Sequence, residues 1–99
     1  MEIIKALNGN ELTLTVVGEL NTSTYGELEQ VVSSSLNGIK TLIFDFAKLD
    51  YISSAGLRIL LMSKKIMDKQ GKMIIRHSNK NVMEIFEITG FANVLDFED

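Results

Sequence analysis

The chain has 99 residues, no cysteine and a formal net charge of −3, and these facts exclude several classes of protein. Without cysteine there is no disulfide framework and no thiolate metal site, and an acidic chain is not expected to bind nucleic acid. Apolar residues make up 45% of the sequence, which is enough for residues 1–99 to form a single domain with one core. No stretch resembles a membrane span or a secretory signal, so we expect a cytoplasmic protein that does not act at a membrane.

The first predicted element is a β-hairpin. Two short apolar-rich runs, Glu2–Leu7 and Leu12–Val17, flank Asn8-Gly9-Asn10, and Asn-Gly between such runs is a strong hairpin signal. In the second run, apolar residues alternate with a mixed set that includes two threonines. This alternation gives one apolar face, which favours a sheet covered on one side.

A helix is predicted after the hairpin. The segment from Asn21 to Thr24 offers several helix N-caps, and Thr24 with Glu27 has the spacing of a capping box. Apolar residues then recur at helical intervals, at Tyr25, Leu28, Val32 and Leu36. The pair Asn37-Gly38 is expected to end this helix.

The middle of the chain predicts a strand, a helix and a second strand. Ile39–Phe46 is almost continuously apolar, which predicts a central strand buried on both faces. A helix is expected from Ser54 to about Lys69, and Lys72–His77 has the pattern of another buried strand. Because such a unit normally forms a right-handed crossover, the two strands should be parallel neighbours.

The end of the chain predicts one more helix and a short final element. Ser78 is the expected cap of this helix and Gly90 its end, with one apolar stripe formed by Val82, Ile85, Phe86 and Thr89. Val94–Leu95 is expected to add a brief last element. Phe97 should turn back to the core from an acidic, solvated tail at residues 96–99. The elements together predict a small α/β fold.

Two adjacent serines stand where the helix of the middle segment begins. Serine is favoured at a helix N-cap, so Ser53 or Ser54 should occupy the junction with an exposed hydroxyl. A helix N-terminus carries unpaired N–H groups and a partial positive charge, which suits an anionic group. Ala55 and Gly56 leave the first turn with little side chain, which favours either close packing or the approach of another molecule.

The periodicity of this helix sorts its apolar residues into two groups. At about 100° per residue, one broad arc should face the sheet, and it contains Ala55, Gly56, Ile59, Leu60, Met62, Ser63, Ile66 and Met67. Leu57 and Leu61 instead share a stripe with Ser54 and Arg58. These leucines would form a docking face if exposed, or would be core if they pack beneath the final helix. Periodicity does not decide between the two.

His77 is the only histidine and raises the alternative of a small serine hydrolase. In that interpretation His77 would be the general base for Ser54, with Asp45 or Asp50 as the third member. The sequence lacks the Gly-x-Ser-x-Gly elbow, however, and a strand end for His77 and a turn for Asp50 explain both residues more simply. One histidine without cysteine also makes a poor transition-metal site, so no metal or other cofactor is expected.

Three segments together resemble the STAS family, the bacterial anti-sigma factor antagonists. The segment from Ile52 to Leu57 is similar to the central motif of that family, and Gly18-Glu19-Leu20 and Ile85–Phe91 match two others in order. The resemblance therefore covers nearly the whole chain. It implies a mixed β-sheet that opens with an antiparallel hairpin and continues with βαβ units, with the helices packed on one side.

The resemblance also implies a modification site and a partner surface. The serine two places before the Gly-Leu pair is phosphorylated in the family, and this position is Ser54. Ser53 stands where the best-studied members carry Asp, and Asn21 replaces the acidic residue of a Gly-Glu-Leu-Asp motif. The partner-binding residues implied in this way are Glu19, Asn21, Ser53, Ser54, Ala55, Gly56, Leu57, Arg58 and Leu61.

The function implied by the resemblance is that of a binding module rather than an enzyme. Unmodified, such a domain binds an anti-sigma factor and frees a sigma factor. The anti-sigma factor is a serine kinase of the histidine-kinase-like ATPase fold, which phosphorylates the antagonist, and a serine phosphatase reverses the modification. One alternative is a STAS subunit of a transporter or a stress-signalling assembly, in which the same surface is a fixed interface.

Overall fold

The computed structural model describes residues 1–98, which form a mixed β-sheet with helices on one face. Its elements in chain order are β1 (Glu2–Asn8), β2 (Glu11–Leu20), α1 (Tyr25–Ser35), β3 (Thr41–Asp45), β4 (Leu49–Ile52), α2 (Ser54–Asp68), β5 (Lys72–Arg76), α3 (Lys80–Thr89), a 3₁₀ turn (Phe91–Asn93) and β6 (Phe97–Glu98). Of the predicted acidic tail, Asp99 lies outside the described residues.

The sheet runs in the order β1-β2-β3-β5-β6, and β4 pairs separately with β2. Within residues 1–98 only β1 and β2 are antiparallel, and the other pairs are parallel. The ten-residue strand β2 pairs with β1 along one edge and with two strands along the other, where residues 11–15 pair with β3 and residues 18–20 pair with β4. The predictions of a central strand, and of two parallel strands joined by a helix, are confirmed by β3 and β5.

The predicted opening hairpin is present, with a loop of two residues. Asn8 pairs with Glu11, which leaves Gly9 and Asn10 as the loop. Gly9 has φ +62°, a left-handed conformation that glycine adopts without steric cost. A glycine at the first loop position is typical of a tight two-residue hairpin turn.

The two faces of the sheet differ, and only one carries the main core. The register places Leu14, Phe44 and Ile75 side by side, and all three belong to the core. The neighbouring row on the opposite face contains Thr13 and Ile43, and Ile43 is buried without joining that core. Burial on both faces, predicted for the central strand, is therefore confirmed.

All three helices contribute to the same core. They supply, among others, Leu28 and Val32 from α1, Ile59, Leu60 and Met67 from α2, and Val82 and Phe86 from α3. Phe97 turns back as predicted, and its ring lies 5.4 Å from that of Phe86. Lys5, on the core face of the edge strand, donates a hydrogen bond to the Ser35 hydroxyl at the end of α1. The helices thus pack on one side of the sheet, as the family resemblance implies.

Three local predictions were wrong. Asp50 lies within β4 rather than in a turn, because the segment after β3 pairs with the far end of β2. Asn79, not Ser78, caps the last helix, and its side-chain oxygen accepts from the amide of Val82 at 2.8 Å. The brief element expected at 94–95 is absent from the described chain, where the 3₁₀ turn and β6 lie on either side of that pair.

Candidate functional site

The two serines of the central motif lie at the start of α2, as predicted, directly after β4. Ser53 is the N-cap residue, with an extended backbone, and its carbonyl accepts the amide of Leu57 at 2.9 Å. Ser54 is the first residue of the helix and is exposed. The polypeptide therefore changes from strand to helix between the two side chains.

The hydroxyls of the two serines have different environments. The Ser53 Oγ is buried and has no hydrogen-bond partner among residues 1–98, so this side chain does not cap the helix. The amide of Ser53 donates to the carbonyl of Leu20 at 2.8 Å, which holds the residue against the end of β2. The expected exposed hydroxyl is therefore that of Ser54.

The first turn of α2 presents free backbone donors. Within the described chain, no hydrogen bond to a protein acceptor is found for the amides of Ser54, Ala55 and Gly56. Such amides at a helix start, together with the helix dipole, favour an anionic group nearby. A phosphate esterified to the exposed hydroxyl of Ser54 would lie in this favourable field.

Ala55 and Gly56 are buried, so the small residues of the first turn serve close packing. A Cβ on Gly56 would lie 2.7 Å from side-chain atoms of both Ile52 and Leu20. The helix start is thus pressed onto the ends of β4 and β2. The expectation that Ala55 and Gly56 contact a partner is corrected by their burial, because their side-chain positions face inward.

The stripe of Leu57 and Leu61 is divided by the structure. Leu57 is only 5% exposed and belongs to the core, so the core alternative holds for this residue and its implied place among the partner-binding residues is corrected. The sheet-facing arc is otherwise as predicted, with Ala55, Gly56, Ile59, Leu60, Ser63 and Met67 buried. Arg58 is exposed, and Leu61 is half-buried and outside the core cluster. Of the three stripe residues after Ser54, a partner can therefore reach Arg58 and Leu61 but not Leu57.

Glu19, near the end of β2, and Asn21, in the loop that follows, lie close to the same strand ends. Glu19 is exposed and lies in register with Tyr51 of β4. The Asn21 side-chain oxygen accepts from the amide of Ser23 at 2.9 Å, and the Thr24 hydroxyl donates to the carbonyl of Glu19 at 2.9 Å. Thr24 is the N-cap of α1, but no side-chain cap bond forms, so the predicted capping box with Glu27 is wrong. The Thr24 hydroxyl instead bonds to Glu19 and closes the loop between β2 and α1.

Tyr51 is a surface residue that the sequence reasoning missed. It is 46% exposed, although its neighbours Leu49 and Ile52 in the same strand are buried. An aromatic residue three places before the candidate serine was visible in the sequence. Its exposure was not visible, because β4 was not predicted and the side of the strand on which Tyr51 lies depends on the pairing with β2.

His77 does not form a catalytic pair with Ser54 in the described structure. Its Nδ1 lies 3.2 Å from the Asp45 Oδ1, and both side chains are at the carboxyl ends of neighbouring strands. His77 has φ +64° and lines an open cavity of about 170 Å³ to which Ser54 does not contribute. The position of His77 as a partly exposed strand end is as expected, and the geometry gives no support to the hydrolase alternative.

None of the helices in the described part of the chain combines the length and the apolar composition that crossing a bilayer requires.

Comparison with known proteins places this arrangement in a family. The sequence matches the model of the STAS domain over residues 2–99. A curated relative is BtrV of Bordetella bronchiseptica, which is provisionally named an anti-sigma factor antagonist. It is 35% identical over 79 residues, which cover 78% of this chain and 68% of BtrV.

Solved structures share the fold at low sequence identity. An anti-sigma factor antagonist from Mycobacterium paratuberculosis has a TM-score of 0.88 at 18% identity, over 97% of this chain and 83% of that one. SpoIIAA in its unphosphorylated form has a TM-score of 0.78 at 15% identity, covering 99% and 88% of the two chains. The phosphorylated form of SpoIIAA from Bacillus has a TM-score of 0.77 at 15% identity, covering 99% and 92%.

Proposed function

This chain belongs to the STAS domain family, and from that premise we propose that it is an anti-sigma factor antagonist. In its unmodified form it binds an anti-sigma factor, which then releases a sigma factor for transcription. The relative BtrV and the structural neighbours support this role, because they carry the same designation. The domain acts by binding and not by catalysis.

Phosphorylation of Ser54 controls the binding in this proposal. The observation that carries it is the contrast between the two serines, because Ser54 is exposed at the helix start whereas the Ser53 hydroxyl is enclosed. A kinase needs a hydroxyl that it can reach. The free amides of the first turn also favour the dianionic product, which adds about 1.5 to 2 negative charges.

The phosphate acts on the surface and leaves the fold intact. An anion at an exposed helix N-terminus stabilises the helix by about 0.3–1 kcal/mol, so modification brings no folding penalty at this position. The two forms of SpoIIAA support this view, since both share the fold of this chain with TM-scores of 0.78 and 0.77. A partner that docks over Ser54 would nevertheless meet new bulk and charge.

The anti-sigma factor is itself the serine kinase in this scheme, and a serine phosphatase restores the binding form. Both reactions take place in the cytoplasm in this proposal. The kinase modifies Ser54 of the bound antagonist and then dissociates. The surface that it contacts comprises Glu19, Asn21, Ser53, Ser54, Arg58 and Leu61.

Phosphate mapping tests the assignment. Each anti-sigma factor kinase of the source organism is incubated with the domain and ATP, and the modified peptide is sequenced by mass spectrometry. We expect phosphate on Ser54, loss of modification in Ser54→Ala, and normal modification in the matched control Ser53→Ala. Phosphate on Ser53 with Ser54 unmodified would contradict the assignment.

Binding of a phosphate mimic tests the switch. Ser54→Asp should retain the circular dichroism spectrum and the melting temperature of the wild type, because the helix start accepts negative charge. Its affinity for the anti-sigma factor should fall. Unfolding of this variant would mean that Ser54 has a structural role. Undiminished binding would contradict the proposal that phosphorylation of Ser54 controls binding.

A further inference from the structure

The pairing of β4 with β2 contains a bulge next to the candidate site. Gly18 is opposite Leu49, but the next residue, Glu19, is opposite Tyr51. Asp50 is therefore an extra residue on the β4 side. Gly18, across from the irregularity, has φ +99°, a conformation that residues with a side chain rarely adopt. Bulges of this kind redirect side chains and are frequent beside functional sites.

The bulge determines which side chain reaches the surface. In a regular strand, side chains alternate between the faces, so Tyr51 would lie on the same side as Leu49. Leu49 and Ile52 are both buried, and Asp50 and Tyr51 between them are both exposed. The extra residue thus turns an aromatic ring outward and keeps Ile52 inside under the start of α2.

We infer that Tyr51 is an aromatic anchor through which the domain binds its anti-sigma factor. This inference rests on the function proposed above and adds a residue that the family motif did not indicate. The ring is expected to enter an apolar pocket on the anti-sigma factor, beside the contact made by Ser54. Tyrosine is among the residues that most often dominate the binding energy of an interface.

The position of Tyr51 makes its surface continuous with the start of α2. Only Ile52 and Ser53 separate Tyr51 from Ser54, and the amide of Ser53 is tied to Leu20, the residue that follows Glu19. Glu19 lies beside Tyr51 in the ladder. One docked partner would therefore cover the ring, the carboxylate of Glu19 and the hydroxyl of Ser54 together.

The charged side chains around the Tyr51 ring suit the polar rim of an interface rather than a second anchor for the partner. Glu19, Asp50 and Arg58 are exposed, and none of them is in a salt bridge within residues 1–98. Because the rim carries both signs, charge alone does not select the partner. Charged side chains at a rim mainly orient the partner, whereas the binding energy concentrates in the buried centre. The tyrosine ring is the large apolar group available for that centre.

Titration of variants against a purified partner tests this inference. Each anti-sigma factor of the source organism is titrated with the wild-type domain by calorimetry, and the one that binds is used. Tyr51→Ala should weaken binding by about tenfold or more, the usual effect of removing a hot-spot aromatic, while Tyr51→Phe should stay within about threefold. The matched control is Leu7→Ala, because Leu7 is 66% exposed and pairs with the opposite end of β2. It should bind as the wild type does.

A second measurement keeps the test decisive if Tyr51→Ala folds poorly. Nitration of the two tyrosines of the wild-type domain by tetranitromethane is followed by mass spectrometry with and without the partner. We expect the complex to slow nitration of Tyr51 more than nitration of Tyr25. Tyr25 packs against the core and serves as the internal control.

Ser54→Asp in the same titration separates the two proposals. If Ser54→Asp loses binding but Tyr51→Ala and Tyr51 nitration are unaffected, the anchor is refuted and the switch stands. If Tyr51→Ala loses binding and Ser54→Asp does not, the anchor stands and the phosphorylation switch fails. If no purified anti-sigma factor binds the wild-type domain, both proposals are overturned.

Discussion

Leu57 and Leu61 lie one turn apart on α2 and should respond very differently to truncation. Leu57 is only 5% exposed and belongs to the core, whereas Leu61 is half-buried and lies outside it. Returning a fully buried leucine side chain to water costs about 1.5–3 kcal/mol, and the cavity left by truncation adds to this cost. Leu57→Ala should therefore lower the free energy of unfolding by about 3 kcal/mol. Leu61→Ala should lower it by less than about 1 kcal/mol.

These losses are large enough to be separated by ordinary denaturation. A loss of about 3 kcal/mol lowers the urea midpoint by about 1–3 M when the m-value is about 1–3 kcal/mol/M. For a domain of this size the melting temperature should fall by about 12–24 °C. Domains commonly have about 5–15 kcal/mol of stability, so the Leu57→Ala variant should still fold at low temperature.

The assay is urea unfolding followed by far-UV circular dichroism, with both variants and the wild type measured together. Equal m-values for the three proteins would show that the midpoints can be compared. A loss below about 1 kcal/mol for Leu57→Ala would refute the placement of Leu57 in the core. A loss above about 2 kcal/mol for Leu61→Ala would mean that it is packed like a core residue and is not available to a partner.

Two further substitutions test the local geometry. Gly71→Ala should destabilise the domain by about 3 kcal/mol or more, because its new Cβ would overlap the carbonyl oxygen of Lys40, a backbone atom that cannot move aside cheaply. Gly26→Ala is the matched control, since nothing lies within 4 Å of its added Cβ, and thermal melting compares the two. Asn79→Ala should cost about 0.5–2 kcal/mol through loss of the α3 cap, as measured by urea unfolding. Ser78→Ala should cost nothing measurable, since the Ser78 Oγ is buried without a partner, and a larger loss for Ser78→Ala than for Asn79→Ala would contradict the capping assignment.

Local patterns in the sequence were sufficient for much of the fold. The Asn8-Gly9 pair between two apolar runs predicted the hairpin, since a short turn and its flanking strands depend on neighbouring residues. The run from Ile39 to Phe46 predicted the central strand, because a strand covered on both faces has few polar positions and this run is short and rich in β-branched and aromatic residues. The start of α2 at Ser54 was likewise predicted from capping and periodicity.

The family motif also indicated where the site lies, but not which of its side chains are accessible. Ser53 and Ser54 are identical in chemistry and adjacent in sequence, and only the tertiary structure encloses the hydroxyl of the first and leaves the second exposed. Similarly, Asn79 and Ser78 are both good caps. The backbone that enters α3 decided between them, because it places the Asn79 oxygen at the amide of Val82.

Tertiary structure alone decided that Leu57 is buried and that Tyr51 is exposed. Helical periodicity gives the angle of Leu57 around the axis of α2, but the width of the buried arc depends on the neighbouring elements. That arc is widest at the first turn, where Gly56 lies against Leu20 and Ile52, and one turn later Leu61 is partly exposed. Tyr51 faces solvent because an extra residue in β4 shifts its pairing with β2. Pairing between distant segments is a long-range property, so no local pattern in the sequence could have predicted that exposure.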